Sequence, residues 1–531
     1  MSLWRRTNEE QELPGRLGIA AAGHQESSRA AAEVLKAGGN AFDGALAALC
    51  AACVAEPMLA SLGGGGFLLA QPASGAPLVY DFFVHTPARP RPRGEIEFYP
   101  ILADFGTARQ EFHIGMGSIA VPGVVAGLFE VHRQRCRLPM AEILAPAIHL
   151  AREGVRVNDF QYYISEILRP ILEATPEAMR LVATPERPDR IASSGDTVWH
   201  RDMAETLEAF VREGPDLFYR GELAQRLVAD CRARGGHLVM EDLERYEVKL
   251  RQPVRFSCHG AEFSFNSPPS PSGCLIAFAL GLLEQQDLKA HRWGRAHHCL
   301  SLGRAMRAAG RVRKVTHADG GLDQDKMGEI LDPAHIERWR GMMTDDPMAS
   351  RGTTQISVAD ADGNLASLTI SNGEGCSYVL PGTGIQLNNM LGEEDLNPGG
   401  FHQWPANRRM SSMMCPSVAS LPDGGWVALG SGGSNRIRSA ILQVLLNMFE
   451  FDMPLEQAVA APRLHLEGEH LSLERGFHES ALEALAAEWP DHRIWPEPNL
   501  FFGGVHAVER LPGGSFRGAG DPRRGGTVAA A

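Results

Sequence analysis

The stretch that most restricts what this chain can fold into begins at Arg351-Gly352-Thr353-Thr354-Gln355-Ile356-Ser357-Val358. It continues through Asp362-Gly363 into the run from Leu365 to Ile370. Alternation puts Thr354, Ile356 and Val358 on one strand face and Thr353, Gln355 and Ser357 on the other, with Asp362-Gly363 as the hairpin turn. Thr353 stands at the head of this hairpin, directly after a glycine. By propensity it is a β-former following a flexible joint. Chemically, cleavage of the Gly352-Thr353 bond would give it a free α-amine, the base that an otherwise inert hydroxyl needs to become a nucleophile.

Four further segments follow in order: Thr369-Ile370-Ser371-Asn372, Gly384-Ile385-Gln386-Leu387-Asn388-Asn389, Arg409-Met410-Ser411-Ser412-Met413 and Gly430-Ser431-Gly432-Gly433-Ser434. Together with Thr353-Thr354-Gln355 they resemble the motif series of the gamma-glutamyltransferase family of N-terminal-nucleophile hydrolases. Upstream, Ala37-Gly38-Gly39-Asn40-Ala41, Glu56-Pro57, Gly63-Gly64-Gly65-Gly66-Phe67 and residues 117–127 are similar to the same family. The resemblance implies self-cleavage into residues 1–352 and 353–531, which stay associated in a four-layer αββα sandwich. It implies Thr353 as nucleophile through Oγ and as base through its new amine, with an acyl-enzyme ester resolved by water or an amine acceptor. Gly432 and Gly433 would offer backbone N–H groups to the oxyanion. Thr369 and Ser371 share a strand face and are placed to donate to the Thr353 amine or hydroxyl. Ser371 has the spacing of the family's second active-site threonine, while strand packing is the other reading of Thr369.

For substrate recognition, the family holds the glutamyl α-carboxylate with an arginine and two serines, and Ser411-Ser412 match the serines. The arginine position falls on Pro92, with Arg89, Arg91 and Arg93 around it, so Arg89 or Arg91 is expected to substitute from a shifted loop, or else these are surface charges. On the ammonium side, Asn372 arrives one residue early, Met390 replaces the usual amide or acid, and Glu393 takes the expected aspartate position. Methionine cannot orient an ammonium, so preference for a γ-glutamyl group over a desamino acyl group is expected to be eroded. Gln355 stands where the family has histidine and leaves the threonine mechanism intact.

The preferred reading is therefore an autoprocessed threonine amidohydrolase, with γ-glutamyl amides such as glutathione as first substrates. The alternatives are hydrolysis of another carboxylate-bearing amide, of the glutaryl, cephalosporin or oxamate type, and a non-enzymatic binding homologue. No Gly-x-Ser-x-Gly elbow argues for a serine hydrolase. The 19 histidines form no His-Glu-x-x-His set, so neither metal nor cofactor is expected.

Composition limits the remaining choices. A chain of 531 residues predicts roughly two to four domain-sized masses or an intimately packed two-subunit product. Hydrophobic and charged contents of 44% and 22% are those of a soluble globular protein, and a net charge of −13 weighs against nucleic-acid and membrane partners. Homo-oligomerisation stays open. The amino-terminal stretch has no apolar signal region, and nine sparse cysteines make no disulfide framework, which points to a cytoplasmic protein. Cys50 and Cys53 read as small residues buried in an alanine-rich helix.

Periodicity predicts helices over residues 27–36, 41–54, 139–153, 203–211, 222–234, 274–283, 293–309 and 437–449, and strands over 67–70, 80–84 and 426–429. Residues 311–350 read as a mobile stretch with short helices, 430–434 as a turn, and 513–526 as a glycine-rich tail. Strands and helices on both sides of Thr353 make the fold class α+β.

Overall fold

The computed structural model describes residues 16–104, 109–317, 322–340, 353–397 and 399–531. The Gly352 side of the expected cleavage bond, residues 341–350 and the amino-terminal stretch lie outside the described residues. Two antiparallel sheets form the centre. The first has seven strands in the spatial order Thr527–Ala530, Gly18–Ala22, Thr354–Asp360, Leu365–Ser371, Gly65–Gln71, Leu78–Phe82 and Lys249–Arg251. The second has six: Phe516–Ala519, Gly504–Arg510, Trp426–Gly432, Ser417–Ser420, Ala261–Phe265 and Val254–Cys258. The Thr354–Asp360 strand packs face to face on Trp426–Gly432 and Gly504–Arg510. Helices Gln25–Lys36 and Ala41–Ala55 cover the first sheet, and Ser272–Leu283 and Arg436–Phe449 cover the second. The result is the expected α+β, four-layer αββα sandwich, each sheet hiding its outer face under helices.

Local chemistry accounts for the helix beside the central strand. Asn40 accepts hydrogen bonds from the Phe42 and Asp43 N–H groups, and the Asp43 carboxylate accepts one from the Asn40 N–H, closing a capping box. All of Ala41–Ala55 is buried, so alanine and the thiols of Cys50 and Cys53 serve as small packing groups between the sheet and its neighbouring helices. Among the described residues no helix is long and apolar enough to cross a membrane.

The glycines at 63–66 act through close approach. A Cβ on Gly64 would lie 2.2 Å from the Ser371 carbonyl oxygen, and one on Gly63 would lie 2.3 Å from that of Gln386. With side chains absent, Asn388 bonds through its amide to the Gly63 and Ala120 carbonyls, locking the loop after Ser371 against the neighbouring strand. That lock delivers Met390 and Glu393 to the same end of the sheets as Thr353.

Three expectations change. The helix expected to stop at residue 309 runs Ala296–His317, so residues 311–317 are helical. Residues 430–432 are strand, because Gly430, Ser431 and Gly432 pair with His506, Val505 and Gly504; the turn begins at Gly433. The carboxy-terminal tail is structural: Phe516–Ala519 joins one sheet and Thr527–Ala530 the other. Its glycines serve packing, since a Cβ on Gly520 would lie 2.3 Å from the Gly526 carbonyl carbon.

Candidate active site

Thr353 is buried and immediately precedes the first residue of the Thr354–Asp360 strand. The alternation read from the sequence holds. Thr354 points toward the first helical layer, where its hydroxyl approaches Glu56 Oε2 at 3.4 Å, and Gln355 points between the sheets. Gln355 donates to Ser357 and Ser367 and accepts from Thr369, so this residue in the family's histidine position ties together a buried polar network.

Thr353 opens onto a surface pocket at one end of the two sheets. Ser371, Ser411, Ser412 and Glu393 line it with Thr353, as do Met390 and Asp395. Residues separated by tens of positions in the chain thus meet at one end of the two sheets. The Ser371 hydroxyl oxygen accepts the Gly373 N–H at 2.9 Å, and the Ser412 oxygen accepts the Met414 N–H at 3.1 Å. Ser411 donates to the Pro269 carbonyl at 2.9 Å.

Other expected site residues lie elsewhere. Thr369 is absent from the pocket lining because it donates to Gln355 Oε1 at 2.6 Å inside the inter-sheet layer. The Asn372 amide turns back onto Gln386 Oε1 at 3.0 Å and holds its own loop. Arg89 is exposed. Arg91 donates to the carbonyls of Cys231 at 3.1 Å and Arg232 at 3.0 Å, captured by acceptors at the carboxyl end of helix Glu222–Arg234. The arginine that lines the pocket is Arg313, from the helix expected to have ended before it. No local signal marks it out, since it sits among Arg304, Arg307 and Arg311 on one helical run.

Arg313 donates to Asn435 Oδ1 at 2.8 Å, and Asn435 Nδ2 lies 3.3 Å from Asp395 Oδ2, which also accepts from Ser434 Oγ at 3.0 Å. These groups gather at the amino terminus of helix Arg436–Phe449, the positive end of its dipole. Gly433 at φ +119° and Ser434 at φ +51° bend the chain from strand to helix there. Gly432 instead faces Thr353: a Cβ on it would lie 2.0 Å from the Thr353 carbonyl oxygen. Among the described residues no three His, Cys, Asp or Glu side chains gather as a metal-binding group.

Behind the Thr354–Asp360 strand, Glu56 Oε1 has no hydrogen-bond partner. Burial pushes its carboxyl up from 4.5 to about 8, against smaller opposing effects of Thr354 and Arg524. Because the folded value is raised, stability from this site is full below pH 4.5 and is lost as pH climbs through about 8. Glu56→Gln is therefore expected to gain Tm relative to the parent between pH 5 and pH 8.5, measured by thermal unfolding across that range. Parallel curves for the two proteins would rule out a titrating Glu56.

A buried threonine heading an inner strand of a four-layer αββα sandwich defines the N-terminal-nucleophile hydrolase class. The chain belongs to the gamma-glutamyltranspeptidase family, whose model matches residues 27–531. It is 32% identical to an acylase ACY 1 proenzyme of Pseudomonas sp. strain V22 over 99% of this chain and 95% of that protein. It is 28% identical to the glutathione hydrolase proenzyme of Escherichia coli K12, over 95% and 90% of the two chains. The solved cephalosporin acylase of Bacillus halodurans superposes with a TM-score of 0.85 at 23% identity, covering 100% of this chain and 98% of that one, and so shares the fold.

Proposed function

We propose that the protein cleaves itself between Gly352 and Thr353 and then hydrolyses γ-glutamyl amides such as glutathione through a Thr353 acyl-enzyme. The observation that carries this reading is the convergence of Thr353, Ser411 and Ser412 with one arginine and two carboxylates in a single pocket. A γ-glutamyl donor presents a carboxylate and an ammonium at the end remote from its scissile amide. Ser411, Ser412 and Arg313 suit the carboxylate, and Glu393 with Asp395 suits the ammonium. Oγ of Thr353 attacks the amide carbon, its proton passes by way of the α-amine to the leaving amine, and water then resolves the ester. The N–H groups of Gly432 and Gly433 receive the oxyanion, and Ser371 orients Thr353.

Association of the products has a structural basis. Gly18–Ala22 pairs with Thr354–Asp360, and Gly65–Gln71 pairs with Leu365–Ser371, so each proposed fragment completes a sheet of the other. The proenzyme names of the acylase and glutathione hydrolase relatives support processing.

A second reading is favoured by Met390, whose apolar side chain is buried in the pocket wall, and by the absence of Asn372 from that wall. Both withhold amide partners from an ammonium and suit a desamino acyl group such as glutaryl. The test is kcat/KM for γ-glutamyl, glutaryl and oxamate-type amides on the processed protein, with and without a dipeptide acceptor. Hydrolysis with less than about 100-fold preference for γ-glutamyl over glutaryl, and weak transfer, is expected. A larger preference with efficient transfer to the dipeptide would overturn the eroded specificity.

A further inference from the structure

Arg524, seven residues from the carboxy-terminal Ala531, reaches across the sandwich to the residue that heads the nucleophile strand. Its Nη1 donates to the Thr353 carbonyl oxygen at 3.1 Å, and its Nη2 donates to the Leu500 carbonyl at 3.3 Å. The side chain is buried, and among the described residues no carboxylate oxygen lies within ion-pair distance of it. Neighbouring arginines differ in this respect. Arg463 pairs with Asp521 at 2.6 Å, and Arg523 pairs with Glu474 at 2.5 Å and Asp521 at 3.2 Å.

The slot that admits Arg524 is cut by glycines. A Cβ on Gly504 would lie 2.6 Å from Arg524 Cδ, and one on Gly432 would lie 3.1 Å from Nη1. Any side chain at Gly504 would displace the arginine's stem. A buried guanidinium without a carboxylate partner carries a desolvation cost, so its retention beside a reacting residue is informative.

Resting on the reading of Thr353 as an N-terminal nucleophile, the geometry points to Arg524 as the residue that positions Thr353 and keeps its freed α-amine in the neutral, proton-accepting form. A fixed positive charge bonded to the carbonyl of the same residue opposes a second positive charge on the amine. The other charged groups around Thr353 divide into two sets. Glu393, Asp395 and Arg313 face it from the pocket. Glu56, reached through Thr354, and Glu374 act on the Arg524 side, where Asp521 is balanced by Arg463 and Arg523 and His506 is buried neutral. Burial lowers Arg524 itself to about 10, which leaves it charged at neutral pH. Glu56, raised to about 8 by burial, adds little negative charge below that pH. Arg524 is thus a positioning residue that acts through Thr353.

The test compares parent, Arg524→Gln and Arg524→Lys proteins, each first checked by intact mass for the 1–352 and 353–531 fragments. The acid limb of kcat/KM against pH, measured with whichever donor amide turns over fastest, is expected to rise by about one unit or more in Arg524→Gln. It should stay near the parent's in Arg524→Lys. Glu56→Gln in both backgrounds removes the other titrating group nearby. In parallel, the mature parent labelled with ¹⁵N-threonine is titrated by NMR, and the Thr353 α-amine is expected below the ordinary range of about 7.7–8.0. An unmoved limb in a cleaved Arg524→Gln protein, or an α-amine in or above the ordinary range, overturns the proposal. If Arg524→Gln fails to fold or cleave, the titration of the parent decides alone. A parent that never cleaves is separately visible by mass and sinks the nucleophile reading, and the arginine's role with it.

Discussion

Thr353→Ala is expected to remain a single 531-residue chain without amidase activity, while the parent yields fragments 1–352 and 353–531. The argument joins position to chemistry. A threonine hydroxyl is inert at neutral pH until a base takes its proton, and a residue inside a chain carries no amine to do so. Self-cleavage supplies that amine. The Thr353 hydroxyl adds to the Gly352 carbonyl, its proton passes to the Thr353 nitrogen as the C–N bond breaks and the peptide becomes an ester, and water then releases the Gly352 carboxylate. Alanine removes the attacking oxygen at the first step, so processing and turnover should fail together. Thr353→Ser, which keeps the oxygen, is expected to process. Intact-mass analysis over a prolonged incubation reads the outcome. An unprocessed parent that nonetheless hydrolyses its substrate would refute the mechanism.

Gly432→Val is expected to lower kcat/KM by about 100-fold to 1,000-fold, the scale of losing one oxyanion donor. From the sequence, a glycine here leaves a backbone N–H open to the oxyanion. The structure supplies a sharper cause, because a Cβ on Gly432 would lie 2.0 Å from the Thr353 carbonyl oxygen and 3.1 Å from Arg524 Nη1. The first of these contacts is shorter than real atoms permit, and Gly432 is held by its pairing with Gly504 as the last residue of an interior strand of the second sheet. Relief must therefore come from Thr353, whose displacement misaligns both its hydroxyl and its amine. Steady-state kinetics on the cleaved, folded variant check this. Near-parental kcat/KM would exclude the role assigned to this glycine.

What the sequence determined alone was mostly local, and local interactions explain why. Alternation along residues 354–358 sorted Ile356 and Val358 from Gln355 and Ser357, because successive side chains of a strand must point to opposite faces. Asn40 announced the helix that follows it, because a capping side chain bonds within its own turn. The ordered motifs brought Ser371, Ser411, Ser412 and Glu393 to Thr353, since each sits in a segment whose turn or strand fixes its direction. Tertiary packing decided the rest. Arg91 is adjacent in sequence to the expected arginine position at Pro92 but is taken by open carbonyls at a helix end, whereas Arg313 arrives on a helix whose local pattern says nothing of its destination. Thr369 and Ser371 share a strand face, yet only the end of the strand opens to the pocket, and Gln355 claims the hydroxyl further in. The glycine-rich tail expected over residues 513–526 contributes a strand, Phe516–Ala519, to the second sheet and carries Arg524 to the Thr353 carbonyl. Spacing along a chain specifies which way a side chain leaves its own element, but the partner it meets depends on which elements the sheets stack together. That choice is made by burial of whole faces and is not written in any single segment.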